Sequence, residues 1–286
     1  MLKCHLLPAF GGLFIDEITV ERIDLFKSES RLASKTLHNQ LTLLATLVHY
    51  AEELGWIARA PRIRKPRVPK RPYDYLRTQD EIGRFLRAAA TRGCDLCALY
   101  ATATYTGLRA GELAGLRWED VDFDNRLVLV QRSYNGPTKN DQIRYVPILD
   151  ALLPILRQWR LSCAGPIVFP NHAGAMHQPS ARVFQEIFKQ VLHAAGFPAR
   201  IRNGHKTGYI RFHDLRHTFA SHWVMNNGDL FKLQQILGHQ STQMTLRYAH
   251  LSPAAFAEDM GRFPSATGSG AVLPFASKAK TPCETI

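Results

Sequence analysis

No stretch of this 286-residue chain approaches the ~18 consecutive apolar residues that a membrane-spanning helix needs, which excludes an integral helical membrane protein. The opening MLKCHLLPAFGG carries one lysine and no adequate apolar run, so it makes a poor secretory leader, and a cytoplasmic protein is expected. Cysteine is sparse. Cys4, Cys94, Cys97, Cys163 and Cys283 form an odd, scattered set that excludes a disulfide framework. Cys94 and Cys97 make a CxxC, but no second such pair exists. They sit in CDLCALYATATY, which reads as a buried helix with both cysteines as small core residues. Acid is scarce beside base: 24 Asp plus Glu against 36 Lys plus Arg give a net charge of +12 and a pI near 9.7. That balance calls for a polyanionic partner, and with no membrane span in view nucleic acid is the better candidate. What is present in quantity is hydrophobic side chain, at 45%, enough for a proper core in one large domain or two smaller ones.

Along the chain the pattern is mainly helical. A first helix is expected after Thr19, a good N-cap, through Val20, Ile23 and Phe26. A second, from near Ser34, carries Leu37, Leu41, Leu44 and Val48 on one face and stops at Gly55. The composition then changes abruptly. Residues 59–72, RAPRIRKPRVPKRP, hold seven Arg or Lys and four Pro. Prolines deny this stretch a helix, so it should be extended and exposed. Seven like charges repel unless phosphates neutralise them, so Arg62, Arg64, Lys65, Arg67, Lys70 and Arg71 are read as DNA-tracking residues. Thr78-Gln-Asp-Glu81 has capping-box form and opens a second domain. LVLVQRSY and IRYVPIL flank a polar turn, the signature of a small antiparallel sheet of three strands in all. Helices return from residue 151, and Ser252-Pro253 introduces a last short one. The expected organisation is an N-terminal domain over 1–58, a basic linker over 59–77, a larger domain over 78–263 and a flexible tail over 264–286.

Chemistry concentrates in five short words: TGLRAGEL around Arg109, GPTKNDQIRYVPI around Lys139, HDLRH with His213 and Arg216, LGHQS with His239, and TLRYAH with Tyr248. Two arginines and two histidines suit a pentacoordinate phosphate, which a tyrosine hydroxyl can attack. Arginine pairs with two phosphate oxygens at once, and Glu112, three residues after Arg109, is placed to steady it. His213 and Arg216, at i and i+3, share one helix face. A neutral histidine can take the phenol proton or donate to a phosphate oxygen. Zinc binding by His213 and His217, at i and i+4, is the rival reading. Asp214 stands where a zinc-hydrolase helix has Glu, and no third ligand is spaced for it.

In order and wording these segments resemble the tyrosine recombinase (phage integrase) family, from about Leu13 to about Phe263. The resemblance implies a helical DNA-clamping domain joined to an α-rich catalytic domain with a small antiparallel sheet, the DNA breaking-rejoining enzyme fold. It implies site-specific recombination through a 3′-phosphotyrosyl bond on Tyr248. Arg109 and Arg216 would hold the phosphate, His213 would assist as general base and His239 would hydrogen-bond the phosphate. Lys139 would protonate the leaving 5′ oxygen, and His217 would act in support or in packing. Neither metal nor ATP is required, and four protomers would assemble on two double-stranded DNA sites. A type IB topoisomerase and a catalytically silent DNA-binding remnant are the alternatives. Only about 58 residues precede the basic linker, fewer than the family's clamp domain usually has, so a truncated or abbreviated clamp is expected. The basic stretch FPARIRNGHKTGYIR (197–211) also departs from the pattern, as a loop on DNA or a solvated excursion.

Replacing Arg62, Arg64, Arg67 and Lys70 with Ala should weaken DNA binding with little dependence on sequence. The slope of log affinity against log salt should fall by roughly 0.9 per lost phosphate contact. A salt titration of wild type and variant checks this, and equal slopes would mean that these side chains do not touch phosphate.

Overall fold

The computed structural model describes residues 2–69, 73–138, 142–202 and 205–252. Lys70, Arg71, Lys139, the short helix expected after Pro253 and the tail over 264–286 lie outside these residues. The chain divides into two compact units, Met1–Pro72 and Tyr73–Ile286.

The first unit is helical. A wide turn over Leu2–Leu6 runs into α1 (Leu7–Phe10), so helical structure begins before the expected start at Thr19. Pro8 is tolerated because it falls in the first turn. Leu6 and Phe10, four residues apart, point the same way into the core. Thr19 caps α2 (Val20–Glu29), its hydroxyl accepting from the Arg22 amide. α3 (Ser34–Glu53) buries Leu37, Leu41, Leu44, Val48 and Ala51, a stripe with steps of four and three residues. It ends at Gly55, whose φ of +70° suits glycine. These stripes close one core, with Phe10 edge-on to Phe26. The basic segment is anchored to that core. Ile57 is buried, and Ala60 and Ile63 pack on it. His38 Nδ1 lies 3.1 Å from the Pro66 carbonyl. Arg62, Arg64, Lys65 and Arg67 are exposed.

The second unit is built around α5 (Cys94–Thr106), which is buried from Ala98 onward and packs against α4 (Gln79–Ala90), α7 (Leu153–Ser162) and α9 (Asp214–Met225). Thr102, Thr104 and Thr106 are all buried, and each hydroxyl donates to the carbonyl four residues back. That satisfies them without partners from other helices. The CxxC is not in the core as expected: Cys94 is exposed and Cys97 half-buried, because they occupy the first turn of α5, at the surface. Thr78 caps α4 by accepting from the Glu81 amide.

Strands β1 (Val121–Asp122), β2 (Leu127–Val130) and β5 (Arg144–Pro147) form an antiparallel sheet in the order β1-β2-β5, with Val128 opposite Val146. Val128, Val130 and Val146 face the core while Tyr145 is exposed, the alternation of a sheet covered on one side. The QRSY half of the first strand word leaves this sheet for a two-stranded ribbon, β3 (Arg132–Ser133) with β4 (Gly136–Pro137). A short helix, α6 (Ala110–Ala114), lies against β3. Its capping Gly115 packs so closely on the Ser133 backbone that a Cβ would come within 2.8 Å of the Ser133 carbonyl carbon. The basic stretch 197–211 contains a second ribbon, β6 (Arg200–Arg202) with β7 (His205–Thr207), after α8 (Glu186–Ala194). The chain then runs through α9, α10 (Leu230–Leu237), α11 (Thr242–Leu246) and a 3-10 turn over Ala249–Leu251.

At Gly107, the C-cap of α5, φ is +66° and an added Cβ would sit 2.9 Å from both Leu237 and Phe219 side chains. Gly107→Ala should therefore lower stability by about 1–3 kcal/mol, from left-handed strain and overpacking together. The check is the urea midpoint, which should fall at an unchanged denaturant slope.

Candidate active site

The site forms where α5 and α10 both end. A helix C-terminus leaves carbonyls without intrahelical partners and carries partial negative charge, so two such ends attract a cation. Arg216 fills that place. Its Nη1 donates to the Gly107 carbonyl at 2.8 Å, and its Nη2 donates to the Leu237 carbonyl. Arg216 is buried, and desolvation, then the nearby Arg109 charge, pull its pKa down to about 9, which leaves it a cation at neutral pH.

Arg109 follows the Gly107 turn. Its Nη2 reaches the Gly238 carbonyl at 3.4 Å and its Nη1 donates to Glu112 at 2.8 Å, the pairing expected from their spacing. Glu112, 2% exposed, is the hub. Its carboxylate also accepts from the Arg109 amide at 2.9 Å and from both Nη atoms of Arg144 at 3.1 and 2.7 Å. Arg144 Nε in turn donates to the Ile236 carbonyl at 2.7 Å. One carboxylate thus ties α6, β5 and the end of α10 together.

Gly238, left-handed with φ +61°, turns the chain out of α10 and presents His239. His239 is buried, with Nδ1 2.9 Å from the Thr245 hydroxyl. Desolvation, then the charges of Arg216 and Arg109, bring its pKa down to about 3, so the ring is neutral. His213 stands at the N-terminal boundary of α9, without a side-chain capping bond, and is exposed on one side. Desolvation of its packed side, then Arg216, still lower its pKa.

Tyr248 is 1% exposed, and burial raises its pKa to about 12. Its hydroxyl lies 2.6 Å from Nδ1 of His217. Burial, then the neighbouring His213, takes the pKa of His217 down to about 4, so this ring is neutral as well. Tyr73 stacks on His217 with centroids 4.8 Å apart and meets Tyr248 edge-on at 5.2 Å. The Arg247 guanidinium lies over the other ring, Tyr73, at 5.4 Å.

The structure gathers Arg109, His213, Arg216, His239 and Tyr248 into the second unit around these helix ends. Lys139 is outside the described residues. The exposed linker residues Arg62, Arg64, Lys65 and Arg67 belong to the first unit. Sequence reasoning missed Arg144, Tyr73 and Arg247, and gave His217 only a supporting place. The arginine of RYVP, shortly after Lys139, was a usable signal for Arg144. Tyr73 carried none, since its partners in the site, His217, Arg247 and Tyr248, lie more than a hundred residues away.

A mainly helical fold with a small antiparallel sheet thus carries this cluster of arginines, histidines and a tyrosine. The phage integrase family model matches residues 76–255, and the chain belongs to that family. It is similar to the tyrosine recombinase XerC of Xanthomonas axonopodis pv. citri, 32% identical over 227 residues covering 77% of this chain and 68% of that protein. It is also similar to the tyrosine recombinase XerC-like protein of Caldanaerobacter subterraneus subsp. tengcongensis, 28% identical over 262 residues. There the match covers 77% of this chain and 63% of the relative, so the chain spans about two thirds of the length of these relatives. The fold is shared with the Tn1549 transposon integrase in complex with a circular intermediate DNA, at a TM-score of 0.70 and 20% identity over 87% of each chain. It is also shared with a lambda integrase dimer bound to a COC′ core site, at a TM-score of 0.67 and 20% identity over 86% of this chain and 68% of that one.

In Glu112, burial is the largest influence and pushes the carboxyl pKa up, but the Arg144 and Arg109 bonds and charges together outweigh it and hold the pKa below the usual carboxylate range. A depressed carboxylate stabilises the fold above its unfolded pKa and loses that stabilisation as pH falls through the folded value. Glu112→Gln should thus cost about 3–5 kcal/mol at neutral pH. The gap between wild type and variant should narrow in urea unfolding at about pH 3.5. A gap that stays constant would show that the carboxylate is not held by its arginines.

Proposed function

We propose that this protein is a site-specific DNA recombinase that cuts and rejoins DNA by transesterification through Tyr248. The observation that carries this reading is the buried Tyr248 hydroxyl, hydrogen-bonded to a neutral histidine in a site that also holds Arg216, Arg109 and His239. Arg109 and Arg216 bind the nonbridging oxygens of the scissile phosphate, where negative charge grows during attack. His239 and His213 add hydrogen bonds to the same oxygens. Lys139 protonates the departing 5′ oxygen. The Tyr248 oxygen forms a 3′-phosphotyrosyl bond, and a 5′-hydroxyl from the partner strand reverses the step. Bond energy kept in the phosphotyrosine makes ATP unnecessary for this chemistry. The exposed Arg62, Arg64, Lys65 and Arg67, together with Lys70 and Arg71, track the duplex backbone. Double-stranded DNA is the substrate, four protomers on two sites are the working assembly, and the cytoplasm is the place of action. Among the described residues no helix is long and apolar enough to cross a membrane.

The test uses a pool of duplexes randomised over the core, each with a nick that lets the cleaved fragment escape. Wild type should form an SDS-resistant protein–DNA adduct, whereas Tyr248→Phe should bind without forming one. Absence of an adduct with wild type would leave the silent DNA-binding reading. Relaxation of supercoiled DNA without joining of two sites would favour a topoisomerase. On the captured duplex, Lys139→Ala should be slower by roughly 10²–10⁴-fold. A 5′-bridging sulfur leaves as a thiolate and needs no acid, so it should restore this variant and not Tyr248→Phe. If the sulfur duplex is cut no faster by Lys139→Ala, the lysine is not the acid.

A further inference from the structure

The proton on the Tyr248 oxygen must go somewhere as that oxygen attacks. Among the described residues the hydroxyl has one hydrogen-bond partner, His217 Nδ1 at 2.6 Å. His213, the histidine expected to serve as base, lies farther back. Its ring stands edge-on to His217 at 5.6 Å, and it makes no hydrogen bond to Tyr248. The His217 ring is held in place. Tyr73 stacks on it with a 25° interplanar angle, and Tyr73 is itself packed edge-on against Tyr248. The tautomer follows from the burial. With a proton on Nδ1 the buried phenol proton would have no acceptor, whereas with Nδ1 bare the phenol donates to it.

Resting on the reading of Tyr248 as nucleophile, we infer that His217 is a catalytic residue of strand cleavage, the acceptor of the Tyr248 proton. In cleavage the Tyr248 Oη–P bond forms and the P–O5′ bond breaks, its electron pair leaving on O5′. The Oη–H bond breaks, the proton moves to Nδ1 of His217, and O5′ takes a proton from the acid assigned to Lys139. In rejoining, His217 returns its proton to Oη.

The groups that set the charge around His217 come from several elements. His213 and Asp214 flank it on α9, and Arg211 precedes them. Arg247 comes from the α11 side, His239 from the end of α10, and Tyr73 covers the ring. The cations outnumber the one carboxylate, so the resting ring is neutral and free to accept. A DNA phosphate brings negative charge into this surrounding and raises the proton affinity of the ring when it is needed. The phenol holds its proton far more tightly than the imidazole at rest, so transfer accompanies P–O bond formation and does not precede it.

The experiment uses the full chain and the duplex captured from the randomised pool, resynthesised with a 5′-bridging sulfur at the cleavage step so that leaving-group protonation drops out. His217→Asn places an amide oxygen near the position of Nδ1, which accepts a hydrogen bond but not a proton. His217→Ala removes both, and DNA binding and urea midpoints are measured for each. The Asn variant should fold and bind DNA as wild type does, yet form the adduct about 10²–10⁴-fold more slowly. The wild-type rate should fall on the acid side as His217 becomes protonated, and the Asn variant should lack that limb. An Asn variant within about three-fold of the wild-type rate overturns the assignment, since general-base loss costs far more. A faster His217→Ala also overturns it, showing that the contact stows the tyrosine. Failure of wild type to form any adduct overturns the proposed function along with it, so the two failures are distinguishable.

Discussion

The buried carboxylate of Glu112 holds the site together. Its two oxygens accept from the Arg109 backbone and side chain and from both ends of the Arg144 guanidinium. Isolated in the interior, any of these charges would be costly. Paired and fully hydrogen-bonded, they join three elements far apart in the chain. Arg109 is thereby fixed in direction, and β5 is fastened to the end of α10 through Arg144 and Ile236. Arg216 depends on the same frame, because the carbonyls it binds belong to helix ends that this ion pair holds in place.

Around that frame positive charge is concentrated, and Arg216, His217, His239 and Tyr248 are buried. Burial, reinforced by arginine charges, keeps His239 and His217 neutral, and burial keeps Tyr248 a phenol. Each is the resting form that the proposed chemistry calls for, with the imidazoles able to accept or donate and the phenol still holding its proton. Under the proposed function, a phosphodiester entering this field would meet groups already oriented, so little reorganisation would remain for the chemical step.

Much of this was legible in the sequence because the chemistry sits in short words and the helices carry local signals. Thr19 and Thr78 cap as their positions imply, and the stripe from Leu37 to Val48 faces the core. The pairing of Arg109 with Glu112 follows from helical spacing. What escaped depends on contacts without a local signal. Arg144 reaches Glu112 across 32 residues, and His217 reaches Tyr248 across 31. Leu2–Phe10 was missed because its helical stretch is too short to show a period. Cys94 was misplaced because a helix buried along most of its length still has an exposed first turn. The ribbons β3–β4 and β6–β7 have two- and three-residue strands, below what alternation can reveal.

The basic segment is extended, with Ile57, Ala60 and Ile63 turned to the first core while Arg62, Arg64 and Arg67 face outward. The inward side chains are spaced three residues apart, the period of a polyproline-type extended chain with three residues per turn, so the phase of this stretch decides which residues are hidden and which are displayed. Inserting one or two residues between Ile57 and Ile63 would break that phase, pressing polar side chains onto an apolar surface or turning isoleucine to water. Inserting three would restore it. Sequence drift in this stretch is therefore governed by steps of three as much as by length or net charge.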